Sequence, residues 1–353
     1  MNKRQKTYLG AGSIQNVRAI LARSRPAHVF LVTGKDSYET SGAKKEFDVF
    51  LKEYRKTIWN NFAVNPREED IQKGSALLRS SGSDLIIAVG GGSVIDMGKL
   101  INNNLFLPLV AIPTTAGTGS EATHFATFYR NKIKYSLAHP HLLPAYAIVD
   151  PCLTFRLPPY VTACTGMDAL AQAIESYWST HATEESRRYA KQAMRSAWYH
   201  LASAVNAPTP EARIAMSYAA HLAGKAINIS KTTACHAISY PFTSFFGIPH
   251  GHAVGLTLSG VLRYNVEHAR TPTARRALRE VNNLLGASDS ADAARSIDNL
   301  MEAIGLETRL RELGIINDRD INLIAAHVNA ERLSHNPAAM SKKDIKALCK
   351  QLW

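Results

Sequence analysis

Cysteine is scarce in this chain, four in 353 residues (Cys152, Cys164, Cys235, Cys349), and no two form a CxxC pair. That spacing argues against a disulfide framework or a thiolate zinc site and predicts a reducing cytoplasm. A run of about 18 apolar residues is missing, so no membrane span is expected. The basic start, Met1-Asn2-Lys3-Arg4-Gln5-Lys6-Thr7, lacks the apolar stretch of a secretory leader. There is no internal repeat. Modest Gly and Pro (21 and 15) beside 46% hydrophobic residues rule out a disordered, collagenous or low-complexity chain.

What is present is enough apolar sequence for a sizeable core, and length for about two domains at roughly 150 residues each. Lys and Arg (41) exceed Asp and Glu (29), a formal charge of +12. The basic residues are scattered in pairs such as Arg187-Arg188, Arg275-Arg276 and Lys342-Lys343. There is no dense basic helix and no aromatic-studded RNA-binding motif. The charge therefore predicts a solvated basic surface or attraction of a small anion, with no nucleic acid as partner.

The first 150 residues alternate strand and helix. Val29–Thr33, Leu85–Val89, Leu109–Ile112 and Tyr146–Val149 are short apolar runs closed by turn residues. Such runs predict strands buried on both faces, hence a mainly parallel sheet with helices outside. Glu68 to Ser80 has helical spacing. After Pro151 the texture changes, and 167–178, 184–205, 211–226 and 274–285 all have helical composition. The expected architecture is an α/β dinucleotide-binding domain over 1–155 and an all-α domain over 156–353.

Two loops follow successive strands. Gly90, Gly91, Gly92 and Ser93 open Gly90-Gly91-Gly92-Ser93-Val94-Ile95-Asp96-Met97-Gly98-Lys99, where glycines permit close approach of a pyrophosphate to a helix N-terminus. This is not a GxGxxG fingerprint, because position 95 is Ile. Pro113 to Glu121 carries Thr114, Thr115, Thr118 and Ser120, hydroxyls suited to phosphate or ribose oxygens. In the helical half Asp168, Gln172 and Glu175 share one helix face by spacing. With His236 and His250 they offer a carboxylate and two imidazoles, a plausible divalent-metal set among 13 histidines.

These stretches resemble the iron-containing alcohol dehydrogenase family along nearly the whole chain. The resemblance rests on Tyr8-Leu9-Gly10-Ala11-Gly12-Ser13, the 90–99 and 113–123 loops, Leu143-Pro144 through Asp150-Pro151, Gly166-Met167-Asp168-Ala169-Leu170, and Pro249-His250-Gly251. It implies the dehydroquinate synthase-like architecture, a nicotinamide cofactor, a homodimer or larger, and a divalent metal (iron or zinc) in a cleft between the domains. It also implies that Asp168, His236 and His250 match three metal ligands and that Lys134 matches a lysine near the cofactor. The family's fourth ligand, a histidine, is Gln172 here, and a second histidine is Tyr240. A neutral amide oxygen is a weaker donor than imidazole to iron or zinc. Looser binding, a harder ion and a water in the fourth position all stay open.

The segments 223–233, 236–243 and 247–254, with Gln172, resemble the phosphonoacetaldehyde reductase branch. That implies reduction of phosphonoacetaldehyde to 2-hydroxyethylphosphonate. A small anionic aldehyde would need charge-assisted donors, for which Lys225 and Asn228 are the candidates. His252, Tyr240 or a water chain would supply the proton. Gly34 stands where the family often has an Asp that repels a 2′-phosphate, and Lys35 adds a cation, so NADP(H) is favoured, with NAD(H) as alternative. Competing readings are another small substrate such as sulfoacetaldehyde or a hydroxy acid semialdehyde, a lyase of the dehydroquinate synthase type, and a nucleic-acid-binding protein.

Overall fold

Alternate residues of the apolar runs face opposite ways, and both faces are covered. In the computed structural model, which describes residues 5–131 and 133–353, the chain divides into two compact units, one ending at Leu157 and one spanning Pro158–Trp353. The first four residues of the basic start lie outside the described residues.

The first unit holds β1 (Lys6–Leu9), β2 (Val29–Thr33), β3 (Lys56–Trp59), β4 (Leu85–Gly90), β5 (Leu109–Pro113), β6 (Phe125–Arg130), β7 (Ile133–Ala138) and β8 (Tyr146–Val149). Six of these form a sheet in the order β1-β8-β5-β4-β2-β3, every pair parallel. Helices α1 (Asn16–Ser24), α2 (Ser37–Thr40), α3 (Ala43–Phe50), α4 (Glu68–Ser81) and α5 (Gly92–Ile101) connect the strands. Val29, Leu31, Leu85, Ile87 and Val110 pack with Val17, Phe47 and Phe50 in one cluster. Phe30, Val32, Ile86 and Ala88 pack with Leu78, Met97 and Ile101 in another. Burying such a side chain stabilises the fold by about 1.5–3 kcal/mol, so Phe30→Ala would cost about 3–5 kcal/mol.

In this unit two edge strands and a hairpin escape the sequence reading. β1 and β3 are the two edge strands, partly exposed, and their Lys-Thr pairs lack a continuous apolar run. β6 and β7 form a separate antiparallel hairpin, Phe125 opposite Ala138, with little buried surface to mark it.

The second unit is helical, with no strand among its residues. It comprises α6 (Pro159–Trp178), α7 (Glu184–Asn206), α8 (Pro210–Ser230), α9 (Ala234–Phe246), α10 (His250–His268), α11 (Pro272–Leu284), α12 (Ser290–Ala303), α13 (Asp318–Ala326), α14 (Ala330–Leu333) and α15 (Lys342–Gln351). Local chemistry sets the ends. Thr183 and Ser186 form a capping box at α7, and Thr209 accepts from Ala212 at α8, where Pro210 fills the first turn. Pro241 sits inside α9, which disguised that helix in the sequence. Among the described residues no helix is long and apolar enough to cross a membrane.

Candidate active site

In the helical unit α6, α9 and α10 bring Asp168, His236 and His250 together, one ligand-capable atom of each lying within 4.8 Å of the others. Asp168 Oδ1 is 3.2 Å from His236 Nε2. The opposite nitrogen, Nδ1, donates to Oε2 of Glu175. Two carboxylates that only accept therefore flank one imidazole, an arrangement that requires a proton or a metal ion at Nε2. Burial pushes the His236 ring pKa down, but Glu175 and Asp168 outweigh it and hold it above the ordinary histidine range. Burial likewise opposes the Asp168 charge, yet His236 and His250 keep its carboxyl below the usual value.

Glu175 does more than hold the ring. Its Oε1 accepts from Thr233 N–H (3.0 Å), Thr233 Oγ1 (2.8 Å), Cys235 N–H (2.9 Å) and His236 N–H (3.3 Å). A carboxylate from α6 thus caps the otherwise unsatisfied N-terminal donors of α9. His250 has its own support, because Ser239 Oγ donates to the His236 carbonyl and so can only accept at its 3.4 Å contact with His250 Nδ1. A proton on Nδ1 places the ring's lone pair on Nε2.

Gln172 lies one turn beyond Asp168 and is 3% exposed. Its amide donates to Asp168, while Oε1 is buried with no hydrogen-bond partner. A buried orphan oxygen costs roughly 1–3 kcal/mol, and a cation beside it would remove that cost. Three oxygen and nitrogen donors, an orphan amide oxygen and a buried carboxylate behind one imidazole fit a divalent ion. Gly251 makes the convergence possible. A Cβ there would stand 1.8 Å from the Cys164 carbonyl oxygen and 3.0 Å from Asp168 Cβ, so only glycine lets α10 start against α6.

The other residues singled out in this unit go different ways. Tyr240 is buried, with its ring centroid 6.3 Å from that of His250. His252 is turned elsewhere: Nε2 donates to the Glu307 carbonyl (2.7 Å) and Nδ1 accepts from Tyr160 (3.2 Å). Lys225 on α8 has its ammonium 4.3 Å from the centroid of the Tyr189 ring on α7. Asn228 is half-buried one turn further along α8.

In the sheet unit the carboxyl ends of β2, β4 and β5 lie side by side, each ending in a segment chosen from the sequence. The connection from β2 to β3 runs one way across the sheet and that from β4 to β5 the other, so the order switches between β2 and β4. Gly34 and Lys35 follow β2, with Lys35 exposed. The two loops beyond interlock. A Cβ at Gly92 would lie 2.6 Å from Thr118 Cγ2, and one at Gly91 would lie 3.4 Å from Thr115 Cγ2. Gly91 caps α5 without a side-chain bond, and Thr114 N–H donates to the Gly90 carbonyl (3.0 Å). The buried Thr114 hydroxyl has no hydrogen-bond partner. Ser93 Oγ accepts from Asn65 N–H (3.1 Å). Lys134 is half-buried on β7.

Asp96 and Ser120 face each other: Ser120 Oγ donates to Asp96 Oδ1, and Thr127 donates to Oδ2 through N–H and Oγ1 (both 2.9 Å). The fully buried Lys99 completes this strut, donating to Ser120 Oγ (3.0 Å), Thr123 Oγ1 (3.0 Å) and the Phe125 carbonyl (2.8 Å). Lys99 stands one turn after Asp96 in the sequence, but spacing alone does not show the burial that gives it this role.

Comparison with known proteins agrees with this architecture. The iron-containing alcohol dehydrogenase model matches residues 4–151, and the C-terminal model of the same family matches 162–353. Phosphonoacetaldehyde reductase of Streptomyces viridochromogenes is 33% identical over 304 residues, 76% of this chain and 76% of its own. Alcohol dehydrogenase 4 of Schizosaccharomyces pombe is 31% identical over 317 residues, 83% of this chain and 74% of its own. The crystal structure of sulfoacetaldehyde reductase from Bifidobacterium kashiwanohense, in complex with NAD+, is similar at a TM-score of 0.88 and 29% identity, covering 99% of this chain and 96% of that one. The chain belongs to the iron-containing alcohol dehydrogenase family and is an oxidoreductase of the alcohol and aldehyde dehydrogenase type.

Proposed function

We propose that this enzyme reduces a small anionic aldehyde to its alcohol with NAD(P)H, phosphonoacetaldehyde first among candidates and sulfoacetaldehyde next. The observation that carries the chemistry is the Asp168–His236–His250 cluster with the orphan oxygen of Gln172. The likeness to reductases of both aldehydes and the net charge of +12 support the anionic substrate. Asp168, Gln172, His236 and His250 would hold the metal, iron or zinc. When bound, the ion supplies Lewis acidity toward the carbonyl oxygen and the nicotinamide supplies the hydride for its carbon.

The chain's own residues have the remaining tasks. Glu175 and Ser239 fix the ring orientations of His236 and His250. The proton for the new hydroxyl is assigned to Tyr240, whose phenol burial keeps protonated, with Arg332 opposing. His252 is disfavoured because both its nitrogens are engaged. The dinucleotide would lie against Gly90–Gly92, Thr114, Thr115 and Thr118, with Gly34 and Lys35 at the adenosine end selecting NADP(H). The switch between β2 and β4 and the uncapped start of α5 support that assignment. The four free cysteines support a cytoplasmic setting, and a homodimer is the assembly expected from the family.

A substrate panel tests this reading: phosphonoacetaldehyde, sulfoacetaldehyde, succinate semialdehyde and propanal, with each cofactor, before and after chelation and return of single metals. A preference for propanal would end the anionic assignment. Activity unchanged by complete chelation would end the metal assignment.

A further inference from the structure

Next to Tyr240, on the side chains that follow α8 and line α14, cationic groups gather. Arg332 is 9% exposed, its Nη1 donates to Thr232 Oγ1 (2.6 Å), and its Cζ lies 5.9 Å from the Tyr240 ring centroid. The Tyr240 ring is in turn neighbour to the His250 ring. Lys231 is half-buried and holds a positive φ of 63°, a conformation that costs a non-glycine residue and that the fold retains here. Burial and then the Arg332 charge push its ammonium pKa down. His335, also 9% exposed, has a buried Nδ1 with no hydrogen-bond partner, and its ring meets that of His181 with centroids 4.5 Å apart. The carboxylate whose charge acts on both Lys231 and His335 is Glu331, which is exposed.

We propose that Arg332, with Lys231 and His335, forms the subsite that binds the tetrahedral oxyanion of the substrate, a phosphonate or sulfonate, beside the candidate metal cluster. This deepens the anionic-aldehyde reading above and rests on it. Three observations carry it. Guanidinium charge is permanent and its fork suits tetrahedral oxyanions, so a nearly buried Arg is a strong anion donor. Beside it, Nδ1 of His335 is a buried polar atom with no hydrogen-bond partner. Finally, Arg332 and His250 neighbour the same aromatic ring, that of Tyr240, which suits a short molecule carrying its anion close to the carbonyl. Lys225, the sequence candidate, is instead stacked on Tyr189.

The test uses the full chain. Ethylphosphonate and ethanesulfonate, which lack a carbonyl, are titrated calorimetrically, and kcat/KM is measured on phosphonoacetaldehyde, sulfoacetaldehyde and propanal. Wild-type protein is expected to bind one or both anions. Arg332→Gln should weaken that binding about 10- to 100-fold and lower the anionic-to-neutral ratio of kcat/KM by a similar factor, the size expected for charged hydrogen bonds. Arg332→Lys should recover part of it, and Lys231→Ala, at a half-buried position, should weaken it even if the Arg332 variants do not fold. Lys225→Ala is expected to leave the ratio unchanged. Wild-type preference for anionic aldehydes that survives Arg332→Lys and Lys231→Ala undiminished, or is lost only in Lys225→Ala, overturns the subsite while the functional reading stands. A wild-type enzyme with no such preference overturns both.

Discussion

Nδ1 of His236 donates to one oxygen of Glu175, and the helix that carries His236 begins on the other oxygen of the same carboxylate. Ring orientation and helix position are therefore set by one buried group. Glu175→Gln keeps the size but removes the charge and brings an N–H toward donors that already point there. Metal affinity should fall about 10- to 100-fold, as for other outer-shell partners of ligating histidines. Competition with a chromogenic chelator measures it. A folded variant with undiminished affinity would show that Glu175 serves only the helix end.

Gly251→Ala probes the α6–α10 contact. The added carbon meets backbone at Cys164, which cannot rotate away as a side chain would. The helices must part, at a cost of about 1–3 kcal/mol or more, and His250 must leave Asp168. Urea denaturation midpoints and metal affinity should both fall. A lowered midpoint with normal metal binding would mean the helices adjust without moving His250.

Gln172→His addresses the departure from the family's ligand pattern. The orphan amide oxygen gives way to an imidazole, a better donor to zinc or iron. Metal binding should tighten and the bound ion should raise the melting temperature more than in wild type. Equal affinities in the two proteins would indicate that position 172 does not face the ion.

The central strands were legible because a parallel sheet buried on both faces leaves unbroken apolar runs such as Leu85–Val89. Edge strands β1 and β3 were not, since among the described residues one side of each has no neighbouring strand and Lys6 or Lys56 is tolerated there. Asp168, His236 and His250 were legible through their motifs, yet periodicity alone offered many other histidines. Arg332 was invisible for a different reason. It reaches Tyr240 across about ninety residues of sequence, and a lone arginine in a short helix carries no pattern. Ser120 stands among the loop hydroxyls suited to a ligand, but the buried Lys99 needs oxygen partners and draws Ser120 inward, where it also donates to Asp96.

That lysine predicts a pH effect. Burial pushes the Lys99 pKa down to about 8, against attraction by Asp96 and Glu121, from the ordinary lysine value of 10.5. Between those values the unfolded chain binds more protons than the folded one. Stability contributed at this site therefore rises with pH from about 8 to 10.5, and the cost of the buried charge is fully present below 8. Lys99→Met should flatten the curve of unfolding free energy against pH in that window. An unaltered slope would trace the effect to another group.

The proposed choice of NADP(H) rests on the residues after β2. A carboxylate at position 34 would repel a 2′-phosphate, and Gly34 removes that repulsion while Lys35, exposed at the strand's carboxyl end, offers a cation. The adjoining β2–β4 switch is where an adenosine ribose would come to rest. The enzyme should have a lower KM for NADPH than for NADH. Lys35→Ala should raise the NADPH value roughly tenfold, the loss of one charge-assisted contact, and leave the NADH value unchanged because NADH has no 2′-phosphate. Initial rates at saturating aldehyde with both cofactors measure this. If Lys35→Ala moved both values equally, the lysine would be acting on the pyrophosphate or on the whole field, and the selection would have to reside elsewhere.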